Sequence, residues 1–285
     1  MKIDLHIHSS ASDGSFSPAE ILNVVQKINL SAFSITDHDT IDGNKDAIKS
    51  GIPASINFLS GVEISSYPPE PFSSSGSFHI LGYGFDIEDI PLNQSLLKFQ
   101  DARNARNPKI ISKLNSIGIN ISMKEVVVKA GGGLIGRPHI ASLLIEKGYA
   151  KNIKEAFNKY LAKGGAAFVD KYRIDCENAI KLIRNAGGIP EIAHPITLGM
   201  DLRQTEELLK KMVDLGLLGV EAIYTTHSPE DTKKYCLMAE KLGLLVTGGS
   251  DFHGSFKENI EIGTGSGSLD IPYHLYEKLI LALNR

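Results

Sequence analysis

Cysteine is nearly absent from this chain. Cys176 and Cys236 are its two cysteines, lie 60 positions apart and form no C-x-x-C pair, which argues against a disulfide scaffold and a thiolate zinc site. A reducing, cytoplasmic setting is expected. No run of 18 apolar residues occurs, and Met1-Lys2 leads straight into Ile3-Asp4-Leu5-His6, so neither a spanning helix nor secretion is expected. An excess of positive charge is missing too. Thirty Lys and Arg against 33 Asp and Glu leave a net charge of −3, so no global field exists to grip a nucleic-acid duplex by its phosphates. What is present suits a folded soluble chain: 285 residues, 42% hydrophobic and 22% charged, are too apolar for disorder and long enough for one large domain or two.

Ile3, Leu5 and Ile7 alternate with Asp4, His6 and His8, the period of a strand that puts both histidines on one face. Ser17-Pro18-Ala19-Glu20 then combines a cap, a proline at the first helical position and a glutamate set for a capping box. An apolar stripe follows at Ile21, Leu22, Val24, Val25 and Ile28. The strand-then-helix unit recurs. Strands are predicted at residues 32–36, 58–64, 78–85, 189–194, 220–224 and 244–247, seven with the first, and helices at 177–186, 205–215 and 229–242. Residues 67–76, rich in Pro, Ser and Gly, read as a loop. Such alternation implies a parallel sheet, open or closed into a barrel. Between residues 92 and 163 it stops, and four helical segments are predicted instead, at 96–117, 123–130, 137–147 and 154–162. The expected organisation is an α/β unit of residues 1–91 and 164–285 interrupted by a helical insertion over 92–163. Inside that insertion Gly131-Gly132-Gly133 has no preceding strand and no Lys-Ser/Thr pair, so it reads as a hinge rather than a phosphate loop.

Six of the nine histidines fall on or just after predicted strands, most of them with a carboxylate close by. His6 and His8 end the first strand, Asp37 and His38 the second, and Glu63 is near the end of the third. His79 stands early in the fourth, His194 ends the fifth, and Asp251 and His253 follow the seventh. Singly, each has an ordinary explanation: an H-x-H pair arises by chance, Asp37 could cap a turn, and Asp251-Phe252-His253-Gly254 could be a plain turn. Glu63 is harder to dismiss, since a lone carboxylate on a strand between Val62 and Ile64 is costly unless paired or metal-bound. Jointly the ordinary explanations fail, because the C-terminal ends of parallel strands are where such folds gather functional groups. His79 is the one whose placement does not follow, and His274 is read as structural. Imidazoles and carboxylates without thiolates suit zinc, manganese or iron. Six His and three carboxylates exceed the four ligands of one tetrahedral ion, and clustered ions clamp the oxygens of a phosphoryl displacement.

These residues stand in motifs: Asp4-Leu5-His6-Ile7-His8-Ser9 with Ser12-Asp13-Gly14, Thr36-Asp37-His38-Asp39-Thr40, Gly61-Val62-Glu63-Ile64-Ser65, His79 before Leu81-Gly82-Tyr83, Ala193-His194-Pro195 and Gly249-Ser250-Asp251-Phe252-His253. In this order the chain resembles the polymerase and histidinol phosphatase (PHP) metallo-phosphoesterases. The resemblance implies a distorted TIM-like (β/α)7 barrel with up to three divalent ions, manganese first and zinc or iron as alternatives. It implies that His6, His8, Glu63 and Asp251 hold one ion, Glu63, His79 and His194 a second, and Asp13, His38 and His253 a third. Asp13, in a loop, comes from the resemblance alone.

The insertion and Gly136-Arg137-Pro138-His139-Ile140-Ala141 resemble the branch acting on nucleotides, including 3′,5′-nucleoside bisphosphates, nucleoside monophosphates and short single-stranded RNA 5′ ends. The expected reaction is in-line attack of a metal-bridging hydroxide on a terminal phosphate, with the insertion as a cap over the substrate. Arg137, at a predicted helix start, and Arg103 and Arg106, sharing a helix face, are candidate phosphate contacts, and His139 belongs to the same motif. Tyr224-Thr225-Thr226-His227-Ser228 suggests His227 as a substrate contact or leaving-group acid. Histidinol phosphate is the alternative substrate, although three arginines would repel its amine. A non-catalytic, metal-stabilised module is the alternative of another class. Stable binding of duplex DNA or of a membrane is not expected.

Overall fold

The computed structural model describes residues 1–131 and 133–284, so Gly132, the middle of the triple glycine, lies outside the described residues. Eight strands form one sheet: β1 (Ile3–Ile7), β2 (Ala32–Ile35), β3 (Asn57–Tyr67), β4 (His79–Tyr83), β5 (Ile174–Asp175), β6 (Ile189–Ile192), β7 (Gly219–Tyr224) and β8 (Leu245–Gly249). Their order is β1-β2-β3-β4-β6-β7-β8, with β5 added to the end of β3. The sheet curls until its two edges meet. The amide of Asp251 donates to the carbonyl of His6 at 2.8 Å and that of His8 to Phe252 at 2.9 Å, which nearly closes a barrel. Gly249 permits this approach, since a Cβ there would lie 2.0 Å from the Cβ of His6.

The sheet is mixed, which corrects the parallel expectation. β1–β2, β2–β3, β6–β7 and β7–β8 are parallel, but β4 runs antiparallel to both β3 and β6. The reason lies in the loop of residues 67–76. A parallel crossover needs a dozen or more residues, usually a helix, whereas a short loop without helical pattern returns the chain as a hairpin partner. The reversal brings the start of β4 to the rim where the parallel strands end, and His79 pairs with Ser65 there.

Helices α1 (Pro18–Lys27), α7 (Cys176–Asn185) and α9 (Pro229–Leu242) start within a residue of the expected positions, whereas α8 (Leu202–Asp214) starts three residues before the expected 205, behind the Asp201 cap. The Ser17 side chain accepts from the Glu20 amide and Ser228 from that of Asp231, each as half of a capping box. On α1, Ile21, Leu22 and Val25 are buried, and full burial of one such side chain contributes roughly 1.5–3 kcal/mol. Helix α2 (Asp42–Ser50) has no apolar stripe to announce it. It is tied down by Asn44, whose amide group donates to the carbonyls of Ile35 and Gly61 and whose oxygen accepts from the Gly61 amide. Helix α10 (His274–Leu283) ends the described chain. No helix among the described residues is long and apolar enough to cross a membrane.

The inserted segment forms α3 (Ile90–Ser116), α4 (Met123–Ala130), α5 (Arg137–Glu146) and α6 (Ile153–Ala156), the last continued by a wider turn through Leu161. Helix α3 begins behind the Asp89 cap and belongs to two cores. Its Leu92, Leu96 and Phe99 pack with Ile64, Ile80 and Ile180 of the barrel. Its Ile110, Ile111 and Leu114 pack instead with Val126, Ile140 and Leu144 of the insertion. On either side of Gly132 the backbone is constrained: Gly131 is the left-handed cap of α4, and a Cβ on Gly133 would lie 1.7 Å from the Ser10 carbonyl oxygen. The amide of Leu134 donates to Ala11, so the insertion is pinned to the β1–α1 loop.

Candidate metal centre

Nine side chains converge at the rim where the parallel strands end and β4 begins. They come from the end of β1 (His6, His8), the following loop (Asp13), the turn after β2 (His38), β3 (Glu63), β4 (His79), the turn after β6 (His194) and the turn after β8 (Asp251, His253). Glu63, 1% exposed, is the hub. Its Oε2 lies 3.1 Å from His8 Nε2, 3.1 Å from His38 Nδ1 and 3.4 Å from His6 Nε2. Its Oε1 lies 2.7 Å from His79 Nδ1 and 2.9 Å from His194 Nε2. Asp251 Oδ1 is 3.4 Å from His8 Nε2 and 3.7 Å from His6 Nε2. Asp13 Oδ1 is 3.6 Å from His8 Nδ1 and 3.5 Å from His253 Nε2.

The donor set fits cations better than it fits itself. The Nε2 atoms of His6 and His8 face each other at 3.1 Å, an arrangement that needs a proton or a cation between two lone pairs. The Nδ1 atoms of His8 and His38 are buried without a hydrogen-bond partner. Three tight groups satisfy the reach of an ion: His6, His8 and Asp251; His38, Glu63 and His79; and His8, Asp13, His38 and His253. The imidazoles are also oriented from behind. His253 Nδ1 donates to the Asp251 carbonyl at 2.9 Å and His194 Nδ1 to Thr197 Oγ1 at 2.7 Å, which leaves each Nε2 for the centre.

Burial raises the cost of charge at every carboxylate here, yet Glu63, Asp13 and Asp251 are all held well below the carboxylate range. His38 and His79 do this for Glu63, His38 and His253 for Asp13, and Lys257 and His253 for Asp251. His79 is pushed down to about 4, chiefly by burial and, among its charged neighbours, by Lys171 against the pull of Glu63. The backbone is strained at the same rim. Asp39, His194 and Asp251 take φ of 57°, 27° and 55°, conformations that cost of order 1–3 kcal/mol each. Each is held through its own amide, which donates to Glu63 O, Glu221 Oε2 and His6 O respectively.

The acidic neighbours in the motifs are anchors. Asp37 accepts from the Ser9 amide and from the hydroxyls of Ser9 and Ser12, which fixes the loop that carries Asp13. Asp4 accepts from the amides of Ser250 and Gly263, at the base of the Asp251 turn. Asp39 accepts from Ser65 and, at 2.6 Å, from Arg103 Nη2, linking the rim to α3.

Beside the centre lies a cationic pocket. Arg103 and Arg106 are 7% and 5% exposed, so this face of α3 is not a solvated one. With Arg137 and Lys171 they line a cavity of about 170 Å³. A neighbouring cavity of about 210 Å³ is lined by Glu63, His194, Asp251 and His253, and the two share Ser77, His38 and His79. Burial, with Arg103 and Arg137 beside it, pulls the Arg106 guanidinium down to about 9, and its Nε has no partner. Burial likewise brings Lys171 down to about 7 despite Asp39. Arg137 donates to the Leu161 carbonyl and stacks over Phe157 at 5.5 Å.

His139 and His227 line neither cavity. His139 is 2% exposed, and its Nδ1 accepts from the Gly136 amide at the start of α5. It borders a larger cavity of about 860 Å³ between α4, α5 and residues 255–258, which holds none of the nine clustered side chains. His227 stands behind Tyr224, ring to ring at 5.3 Å, with Nδ1 on the Ala222 carbonyl. Sequence reasoning missed Lys171, Glu221 and Tyr224, whose hydroxyl donates to Asp251 Oδ2 at 2.7 Å. Glu221 carried a readable signal, a lone carboxylate on a strand between Val220 and Ala222.

Residues 4–163 match the PHP domain family. Over 278 residues, covering 97% of this chain and 98% of the relative, the sequence is 32% identical to a 5′-3′ exoribonuclease of Haemophilus influenzae. It is 31% identical over 264 residues to a 3′,5′-nucleoside bisphosphate phosphatase of Chromobacterium violaceum, covering 92% and 90% of the two chains. A solved structure from Bifidobacterium adolescentis, assigned as a metal-dependent phosphoesterase, superposes with a TM-score of 0.85 at 26% identity, covering 98% and 95%.

Proposed function

The chain belongs to the PHP family, and from that premise we propose that it is a metal-dependent phosphoesterase of nucleotides. Its substrates are 3′,5′-nucleoside bisphosphates, nucleoside monophosphates or short single-stranded RNA 5′ ends, and the bisphosphate suits the site best. One observation carries the preference: the Arg106 guanidinium is buried in a cationic pocket that shares walls with the ligand cluster. A second phosphate supplies the charge that this pocket lacks. The relatives named as a bisphosphate phosphatase and an exoribonuclease support the same reading.

In this reading His6, His8, Glu63 and Asp251 hold one ion, Glu63, His79 and His194 a second, and Asp13, His38 and His253 a third. The nitrogen and oxygen donors suit manganese first, and zinc or iron as well. When bound, such ions supply a nucleophile at neutral pH and neutralise charge on the reacting phosphate. The chain's own residues do the rest. Arg106 and Arg137 bind the second phosphate, while Arg103, held by Asp39, keeps α3 against the rim. Residues 92–163 act as the cap that carries these arginines. His139 serves the substrate through the turn it fixes before Arg137, and His227 through Tyr224.

The test is phosphate release by manganese-loaded protein from a 3′,5′-bisphosphonucleoside, a 5′-phosphorylated short RNA and histidinol phosphate, with metal content measured on the same sample. Cleavage of either nucleotide in preference to histidinol phosphate is expected. A preference for histidinol phosphate overturns the arginine assignment, and bound metal without turnover on any of them makes the chain a non-catalytic module. Arg106→Ala is expected to lower kcat/KM for the bisphosphate about 10- to 100-fold, the worth of a charged hydrogen bond, with bound metal unchanged. Equal kinetics in variant and native protein would remove Arg106 from the site.

A further inference from the structure

Glu221, on β7, is fully buried and reaches two of the clustered histidines from outside the cluster. Its Oε1 is 2.8 Å from His6 Nδ1, and its Oε2 is 2.7 Å from the backbone nitrogen of His194. We propose that Glu221 is a positioning residue that sets the geometry of two ion sites at once, holding the His6 ring in one tautomer and the His194 backbone in its left-handed turn. The inference rests on the assignment of His6 and His194 as ligands of different ions.

Three observations carry it. A carboxylate only accepts, so the proton on His6 sits at Nδ1 and the Nε2 lone pair faces His8 Nε2, Glu63 and Asp251. Next, His194 holds a φ of 27°, and the hydrogen bond that its backbone N–H donates to Glu221 Oε2 secures it there. That turn delivers His194 Nε2 to within 2.9 Å of Glu63 Oε1. Last, among the described residues no Lys or Arg lies within 4.0 Å of Glu221, and its one ion-pair partner is His6. A buried carboxylate without a counter-charge is costly, so the compensation must arrive through the His6 ring from whatever cation its Nε2 meets.

Glu221→Gln separates this role from simple packing. Glutamine has the same shape, but it offers one acceptor where two donors, His6 Nδ1–H and the His194 amide, must be met. Manganese binding to the native protein and the variant is followed by calorimetry, with bound metal counted. The variant is expected to lose 10- to 100-fold in affinity at two sites, while the site of Asp13, His38 and His253 keeps its native affinity. Equal affinity at all sites overturns the inference, as does a uniform loss at every site. If the native protein binds no metal, the underlying ligand assignment falls and not the role of Glu221 alone. A second measurement does not depend on the variant folding. Ring nitrogen shifts of 15N-histidine-labelled, metal-free native protein are expected to report His6 protonated at Nδ1, and protonation at Nε2 alone overturns the proposal.

Discussion

Glu63→Ala is expected to reduce phosphate release by on the order of 10²–10³-fold or more and to leave the protein short of bound metal. Among the described residues Glu63 alone has both carboxylate oxygens within 3.4 Å of ring nitrogens from five histidines. Its loss removes the one anionic donor that faces both groups of imidazoles, and with it the negative charge that offsets the cations they would share, so two ion sites weaken together. His8→Ala and Asp251→Ala should show the same loss of turnover, since both side chains face the same point. The contrast with Arg106→Ala makes the experiment informative, because that change is expected to spare the metal. Circular dichroism of each variant separates loss of metal from loss of fold. A Glu63→Ala protein that keeps native metal content and turnover would end the bridging assignment.

The convergence of these side chains was largely legible because strand ends impose it. His6, His8, His38, His194 and Asp251 follow strands whose pattern shows in the sequence, and a sheet that closes on itself brings such ends to one rim. His79 did not follow from that logic, because the loop before it was read without its consequence that β4 must reverse. Asp13 has no strand to announce it, being held by Asp37 through Ser9 and Ser12. The environment of Arg103 and Arg106 was out of reach for another reason. Helix α3 serves two cores in succession, and no single periodicity tells which of its polar faces will be covered. Glu191 and Glu221 were readable by the argument that singled out Glu63, a carboxylate on an apolar strand.

Glu191→Gln is expected to stabilise the metal-free protein increasingly as pH rises from 5 to 8. Burial, together with the negative charge of Glu221, pushes Glu191 up to about 8 from an ordinary 4.5, against the hydrogen bond from Thr247. Below pH 4.5 the carboxyl is protonated in both folded and unfolded chains, and its contribution is fully present. Between 4.5 and about 8 the unfolded chain ionises while the folded one does not, so unfolding releases a proton and each pH unit takes about 1.4 kcal/mol from stability. Glutamine is neutral in both states and loses nothing over that window. From pH 4.5 to 7 the difference between variant and native should therefore grow by about 3 kcal/mol in favour of the variant, and it should level off above pH 8. Only the growth is diagnostic, because the Oε1 atom of Glu191 lacks a partner and an amide in its place changes the pH-independent part. Urea unfolding of both proteins with a chelator present, at pH 5, 6, 7 and 8, measures it. Stability curves that run parallel would mean that Glu191 is ionised in the fold, with its charge met by a partner other than Thr247.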